Sequence, residues 1–178
     1  MFIEHTVETA PEAARGAMTA TRDRLGYLPA AVARLAAAPQ LLNGFLRLSA
    51  MFGATSLDPT ARETVILTVA VRNRCHVCIA LHTARLKQLG ADPETVTALQ
   101  SDATLPDPRL EALHRFTHAV LDTAGAVPDR ALTDFTDAGF TAQQALEVVL
   151  GIGTYTMSTL ANRLTKAPVD EPLTAVSS

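Results

Sequence analysis

The chain of 178 residues is long enough for one domain that buries its own core without disulfides or metals. A formal net charge of −3 argues against a nucleic-acid partner, because such partners require clustered Lys and Arg. No apolar run reaches the roughly 18 to 20 residues that cross a bilayer, and the N-terminus lacks a secretory signal pattern. We therefore expect no membrane partner and a cytoplasmic location.

The composition predicts an all-α protein. Hydrophobic residues make up 48% of the chain, aromatic residues only 4%, and there is no Trp. Ala and Leu dominate while β-branched residues are scattered, which favours helices over strands. We expect a single helical domain over residues 1–166, with an N-terminal arm at 1–24, and a flexible C-terminal tail over 167–178.

About seven or eight helices joined by short turns are predicted. Asp58 is a predicted N-cap with Pro59 at the first helical position. Asn73 is predicted to end that helix and to cap the next one, which ends at Gly90. In chain order the predicted helices cover about 28–38, 39–53, 59–72, 74–89, a short segment from 93, 108–124, 129–138 and 143–164.

The last of these helices, over 143–164, has apolar residues on nearly all its faces, and Gly151 and Gly153 leave room for close backbone approach. So much apolar surface in a chain of this length favours a homo-oligomer. The alternative is a central helix of a monomeric bundle.

Both cysteines of the chain lie in the segment ETVILTVAVRNRCHVCIALHTARL, residues 63–86. If Asn73 caps this helix, Cys75 and Cys78 lie in its first two turns, where their sulfurs can form a disulfide and the helix N-terminus stabilises a thiolate. His82 follows one turn after Cys78 and suits proton transfer from a thiol. Glu63 lies on the preceding apolar helix and needs a buried partner, which His82 on an antiparallel neighbour would supply.

A Glu, a CxxC pair twelve positions later and a His four positions beyond it resemble the alkylhydroperoxidase AhpD-like branch of the carboxymuconolactone decarboxylase family. The segment LPAAVARLAAAPQLLNGFLRLSAMFGATSLDPTARETVILTVAVRNRCHVCIALHT resembles the family core, and NRL at 162–164 resembles its C-terminal helix. The resemblance covers about residues 25–165.

This resemblance implies an AhpD-like helical bundle that forms trimers or hexamers. It also implies thiol-dependent, cofactor-free reduction of hydroperoxides by Glu63, Cys75, Cys78 and His82, with an external dithiol as reductant. The sequence departs from the peroxidase branch at Val77, where that branch commonly has a second His. His76 stands one place earlier, about 100° round the helix, and is not its equivalent.

Two arguments disagree about which of the two thiols attacks first. Helix electrostatics favour Cys75 as the attacking thiolate, whereas proton transfer to His82 favours Cys78. The resemblance supports Cys78 as the peroxidatic nucleophile and Cys75 as the resolving thiol. The predicted cycle passes from thiolate to sulfenic acid to disulfide, and we expect a pocket with one exposed sulfur at the helix start, where the reductant enters.

Other functions remain open at this point. Two thiols and an imidazole are a familiar zinc ligand set, although a fourth ligand would have to be Glu63 or water. A decarboxylase or lactone chemistry, as the family name suggests, has no use for a CxxC pair. A non-enzymatic metal-binding or redox-sensing module is the third alternative. The last alternative gives the residues no chemical role: both cysteines would be small buried core residues and His82 a hydrogen-bonded core histidine.

Two further groups are given structural interpretations. His114 and His118, with Glu111 a turn earlier, match the spacing of a metal-binding face, but a solvated or partly buried helix edge explains them better. Asn162 and Arg163 suit a helix end and an intersubunit ion pair and are left out of the site.

Overall fold

A computed structural model describes residues 1–174 of the chain, and its secondary structure over that range is entirely helical. This confirms the predicted all-α fold class. The ten helices, numbered in chain order, are α1 (Glu12–Leu25), α2 (Ala30–Leu35), α3 (Pro39–Gly53), α4 (Pro59–Arg72), α5 (His76–Gln88), α6 (Pro93–Gln100), α7 (Pro108–Asp122), α8 (Asp129–Asp137), α9 (Ala142–Thr165) and α10 (Glu171–Thr174).

The eight segments predicted as helices correspond to α2 to α9, and the two additional helices lie at the chain ends. Helix α1 falls in the predicted N-terminal arm, where Ala14 and Met18 are fully buried against Leu42 of α3. Helix α10 falls in the predicted tail, where the Asp170 carboxylate accepts a hydrogen bond from the backbone N–H of Ala30. Residues 175–178 of that tail lie outside the described residues.

Helix α4 is the centre of the bundle and packs against α3, α5, α7 and α9. The Asp58 carboxylate accepts a hydrogen bond from the backbone N–H of Ala61, and Pro59 occupies the first turn, as the sequence predicts. Every residue from Thr64 to Ala70 is buried. Since burying a Val, Leu or Ile side chain contributes about 1.5–3 kcal/mol, this helix is a major source of the stability of the fold.

The turn between α4 and α5 differs from the prediction. Asn73 is the C-cap of α4 and donates from its side chain to the Thr159 hydroxyl, so it does not cap α5. Arg74 has a left-handed backbone with φ of 52°, which reverses the chain within one residue. Cys75 is therefore the N-cap of α5, and Cys78 is its third residue.

Helix α9 begins with a capping box between Thr141 and Gln144 and packs against α2, α3, α4 and α7. A Cβ atom at Gly151 would lie 2.7 Å from the Phe52 ring, whereas one at Gly153 would meet open space. The close approach predicted for both glycines therefore exists only at Gly151. No helix within residues 1–174 is long and apolar enough to span a membrane.

Candidate functional site

The carboxylate of Glu63 and the imidazole of His82 form a buried pair between α4 and α5. His82 Nδ1 lies 2.7 Å from Glu63 Oε2, and the two side chains are 11% and 12% exposed. The sequence predicted this partner for Glu63. Because Glu63 engages Nδ1, the Nε2 atom of His82 remains available for proton exchange with another group.

The two thiols are brought together at the start of α5. Cys75 Sγ and Cys78 Sγ lie 3.0 Å apart as free cysteines, and both residues are buried, being 1% and 3% exposed. The expectation that one sulfur is exposed is therefore wrong. The cause is that α9 covers the helix start, with Asn162 Nδ2 lying 3.4 Å from Cys78 Sγ.

In the hydrogen bond between the two sulfurs either thiol can be the donor and the other the thiolate acceptor. The backbone N–H groups at the start of α5 favour the thiolate on Cys75. The pKa of Cys75 is lowered to about 6 by a hydrogen bond from Cys78, with further help from the backbone N–H groups of Cys78 and Val77. The pKa of Cys78 is raised because Cys75 holds it as the hydrogen-bond donor and because it is buried. The pair thus favours a single negative charge on Cys75.

Cys78 and His82 line the same cavity, which has a volume of about 190 Å³. Most of its wall is apolar, with Phe45 and Tyr155 meeting edge to face at 5.9 Å between ring centroids. The Tyr155 ring also meets the edge or face of His82, with 5.3 Å between centroids, and its hydroxyl bonds to Ser49 at 3.1 Å. Tyr155 therefore fixes one side of the imidazole next to the cavity.

The C-terminal segment contributes to the same cavity. Asp170 and Leu173, which follow α9, line its wall together with Tyr27. Because Asp170 is tied to the backbone of Ala30, the segment is held across the bundle near the cavity. Two residues of the predicted tail, Asp170 and Leu173, are therefore part of the cavity wall.

Cys75 borders a second cavity, of about 440 Å³, at the start of α5. The predicted pocket at this position is present. Its wall carries the basic side chains of Arg74, Arg163 and Lys166 together with His76. His76 therefore lies beside Cys75 and does not line the cavity of Cys78 and His82, whereas Val77, the position of the second histidine in the peroxidase branch, lines both cavities.

Val77 and Asn162 line both cavities and so form part of the wall between them. Asn162 is 6% exposed, and its Oδ1 atom is buried without a hydrogen-bond partner within the described residues. Asn162 was not predicted from the sequence as a site residue. The only sequence signal for it was its place in the family-like NRL segment.

A second polar cluster lies on α7 and at the end of α6. His114 is buried, in contrast to the predicted helix edge, and its pKa is lowered by burial and by the neighbouring His118. Asp102, His114 and His118 bring three ligand atoms within 4.8 Å of one another. Cys75, Cys78 and His82 do not converge in this way among the described residues, which weighs against the zinc alternative at the CxxC pair.

A comparison with protein families gives a match over residues 39–119 to the model described as the carboxymuconolactone decarboxylase family. This segment contains α3 to α6 and most of α7, including Glu63, Cys75, Cys78 and His82. Residues 39–119 therefore carry the sequence pattern of the carboxymuconolactone decarboxylase family. No curated protein matches the chain by sequence.

Solved structures show that the chain has the AhpD-like fold. An alkylhydroperoxidase AhpD core protein from Ralstonia eutropha JMP134, described as uncharacterized and peroxidase-related, has a TM-score of 0.85 at 18% identity. A peroxidase-related protein from Silicibacter sp. TM1040 has a TM-score of 0.80 at 18% identity. Each alignment covers 97% of this chain and 93% of the other.

A third similar structure is a variant of the debrominase Bmp8 in complex with 2,3,4-tribromopyrrole. Its TM-score is 0.76 at 14% identity, and the alignment covers 99% of this chain and 95% of the other. At these identities the likeness establishes only that the chain shares the fold of these proteins.

Proposed function

We propose that the protein is a thiol-dependent oxidoreductase that reduces organic hydroperoxides with Cys78 and Cys75. One observation carries the proposal: Cys78 and His82 line one apolar cavity, and the Cys75 sulfur lies 3.0 Å from the Cys78 sulfur. Glu63 contacts His82 through Nδ1 and does not line that cavity, so it can orient the imidazole. Nucleophile, base, orienting carboxylate and second thiol are thus all present in one place.

The proposed cycle begins when His82, oriented by Glu63, takes the proton of Cys78. The Cys78 thiolate attacks the distal peroxide oxygen and the O–O bond breaks, with His82 returning the proton to the departing alkoxide. Cys75 then attacks the Cys78 sulfenic acid and water leaves. In total, one hydroperoxide and two thiols give one alcohol, one water and one disulfide.

The resting charge on Cys75 suits the second step of this cycle. A resolving thiol must be deprotonated when the sulfenic acid forms, and the lowered pKa of Cys75 provides this near neutral pH. The apolar wall around Cys78 in turn favours a hydroperoxide with a hydrocarbon group over hydrogen peroxide. The cavity shared with His82 supports Cys78 as the peroxidatic and Cys75 as the resolving thiol, whereas the lowered pKa of Cys75 taken alone favours the reverse order.

An external dithiol completes the cycle by thiol–disulfide exchange. We assign its approach to the cavity beside Cys75, where Arg74, Arg163 and Lys166 form a basic wall. Opposite charges increase the rate of encounter, so a dithiol carried on an acidic protein surface fits this entrance. Both sulfurs are buried, and the helix start must open for the exchange.

We also propose a homo-oligomer that forms through the exposed apolar face of α9. Leu146, Val149, Leu160 and Leu164 are 73%, 49%, 54% and 69% exposed and recur at helical intervals. An apolar stripe of this length on one helix is typical of a surface that binds a second copy.

The experiment that tests the function counts free thiols in the reduced protein after one equivalent of cumene hydroperoxide. We expect the wild type to lose both thiols as an internal disulfide. Cys75→Ser should accumulate a sulfenic acid that a dimedone probe captures, and Cys78→Ser should not. Unchanged thiols in the wild type would contradict the proposal, and capture only in Cys78→Ser would reverse the order of the thiols.

A reductive dehalogenation is a second candidate, because the cavity beside Cys78 is bordered by the edge-to-face rings of Phe45 and Tyr155 and suits a flat aromatic ring. In this reaction one aryl bromide and two thiols give the aryl hydrogen, bromide with a proton, and one disulfide. Incubating the reduced protein with a brominated pyrrole separates the two functions. Bromide release together with disulfide formation would favour dehalogenation, and disulfide formation with the hydroperoxide alone would favour peroxide reduction.

A further inference from the structure

Two histidines of α7 and a carboxylate that follows the end of α6 form a cluster outside the thiol site. His114 and His118 are one turn apart on α7, and their rings lie 4.7 Å apart at 75°. Asp102 follows the C-cap of α6 with a left-handed backbone of φ 55°, a conformation that Asp tolerates better than most residues. This turn brings its carboxylate to both imidazoles.

The three side chains converge on one point through three atoms. His118 Nε2 lies 2.8 Å and His114 Nε2 3.1 Å from Asp102 Oδ1, and the two Nε2 atoms are 3.1 Å apart. Two ligands held at about 2.0–2.1 Å from one metal ion are roughly 2.9 to 3.3 Å apart in octahedral or tetrahedral geometry. The observed triangle has the size of a coordination face.

We propose that His114 Nε2, His118 Nε2 and Asp102 Oδ1 form a binding site for a divalent transition-metal ion, of which zinc is the representative. Two imidazoles and one carboxylate suit Zn²⁺, Co²⁺, Ni²⁺ and Fe²⁺, whereas Mg²⁺ and Ca²⁺ prefer oxygen ligands alone. Three protein ligands leave at least one coordination position for water or an external ligand.

Glu111 supports the metal-binding orientation of His114. Its Oε2 atom lies 3.7 Å from His114 Nδ1 and accepts a hydrogen bond of 2.9 Å from the backbone N–H of Leu105. A carboxylate facing Nδ1 favours the proton on that nitrogen, which leaves the Nε2 lone pair for a metal. Glu111 is thus a positioning residue for a ligand.

The surroundings fit an exchangeable ion. The three ligand residues line an open cavity of about 430 Å³ in which Glu111 and Asp122 add negative charge and Arg115 adds positive charge. His114 is buried at the base while His118 and Asp102 have side chains that are 23% and 44% exposed. A metal ion can therefore enter from solvent, and the cavity shares no lining residue with those of Cys75 and Cys78.

A metal-binding titration tests the site in the full chain with both thiols removed. The Cys75→Ser/Cys78→Ser variant excludes thiolate ligands while leaving the proposed site intact. We expect it to bind one equivalent of Zn²⁺ by calorimetry, to bind Co²⁺ with a visible spectrum free of thiolate charge transfer, and to show a raised Tm when metal is added. Absence of stoichiometric binding of either ion would overturn the proposal.

Variants in the same background assign the ligands. His118→Gln and Asp102→Asn should each weaken Zn²⁺ binding by at least tenfold, and Glu111→Gln should weaken it less, because Glu111 faces His114 Nδ1 at 3.7 Å without a hydrogen bond. His5→Gln is the matched control, since His5 lies near the N-terminus outside the cluster, and should leave the affinity unchanged. Equal affinity in His118→Gln and His5→Gln would also overturn the proposal, and the Tm without metal shows whether each variant is folded.

Discussion

His82 and Glu63 come from the two consecutive helices α5 and α4, and their Nδ1 and Oε2 atoms lie 2.7 Å apart with both side chains largely buried. Removing either partner leaves the other buried without its counterpart, which is costly for a charged or polar group. The pair therefore links the stability of the α4–α5 contact to the chemistry proposed for the thiols.

The pair is expected to act as one unit in Cys78 oxidation. His82→Gln removes the proposed base and should slow oxidation by about 10²- to 10⁴-fold. Glu63→Gln should also slow it, because the amide cannot stabilise an imidazolium. The double variant should be no slower than His82→Gln, since Glu63 acts through His82. Stopped-flow measurement of thiol oxidation checks this, with the exposed Glu94→Gln as control, and independent additive losses would contradict it.

The reactivity of Cys75 is expected to increase with pH around pH 6. Its pKa of about 6 means that the thiolate, the reactive form, disappears as pH falls through 6. Alkylation of Cys75 by iodoacetamide, followed by mass spectrometry, should rise through this pH and then level off. Cys78→Ala removes the largest cause of the lowered pKa and should move the midpoint to higher pH. A wild-type midpoint at about 8.5, the value of an ordinary thiol, would contradict the assigned charge.

Asn162 is expected to promote formation of the Cys78 thiolate. Its Nδ2 donor lies 3.4 Å from the sulfur, and this hydrogen bond lowers the pKa of both cysteines. Asn162→Ala should therefore slow oxidation and move its pH profile to higher pH. Asn162→Asp keeps the size, adds a negative charge beside the thiol and should slow the reaction further. Wild-type rates and pH profile in Asn162→Ala would show that Asn162 is only a packing residue.

Leu160 is expected to contribute to contacts between copies of the chain. Leu160→Glu places a charge on the exposed apolar face of α9 and should shift the protein to a smaller assembly in light scattering coupled to size exclusion. Leu132→Glu is the matched control, because Leu132 is 42% exposed but lies on α8. The same mass in both variants and the wild type would exclude this face as the interface.

A side chain at Gly151 is expected to destabilise the protein. A Cβ atom there would lie 2.7 Å from two atoms of the Phe52 ring and 3.1 Å from Val65 Cγ1, and overpacking of this kind costs about 1–3 kcal/mol. Gly151→Ala should lower the free energy of unfolding in urea by that amount. Gly16→Ala is the control: Gly16 lies in helix α1 with open space around it and should gain about 0.5–1 kcal/mol. Equal stability of the two variants would contradict the packing described for α9.

The elements that were predictable carry strong local signals. Asp58 followed by Pro59 defines the start of α4, and the dense apolar residues after it predict a helix buried on most sides. The partnership of Glu63 and His82 was predictable because an acidic residue in an apolar helix requires a partner, and the spacing places a histidine on the next helix. Local chemistry therefore predicted most helices and one side of the site.

The parts that were missed depend on contacts between distant segments. Asn is a residue type that is favoured at N-caps, but the turn is made by Arg74 in the left-handed conformation, and the Asn73 side chain donates a hydrogen bond to Thr159 on α9 instead. Asn162 is distant in sequence from Cys78 and reaches its sulfur only because α9 crosses the start of α5. Likewise His114 becomes buried through packing of α7, and no periodic pattern distinguishes it from a solvated edge.

The partition formed by Val77 and Asn162 has a kinetic consequence for the proposed cycle. Peroxide and reductant would occupy separate compartments, and only an electron pair, passed from sulfur to sulfur, would travel between them. A saturating concentration of one would then not block entry of the other. Turnover at high peroxide would reach a plateau set by re-reduction, without the decline that two substrates competing for a shared entrance produce.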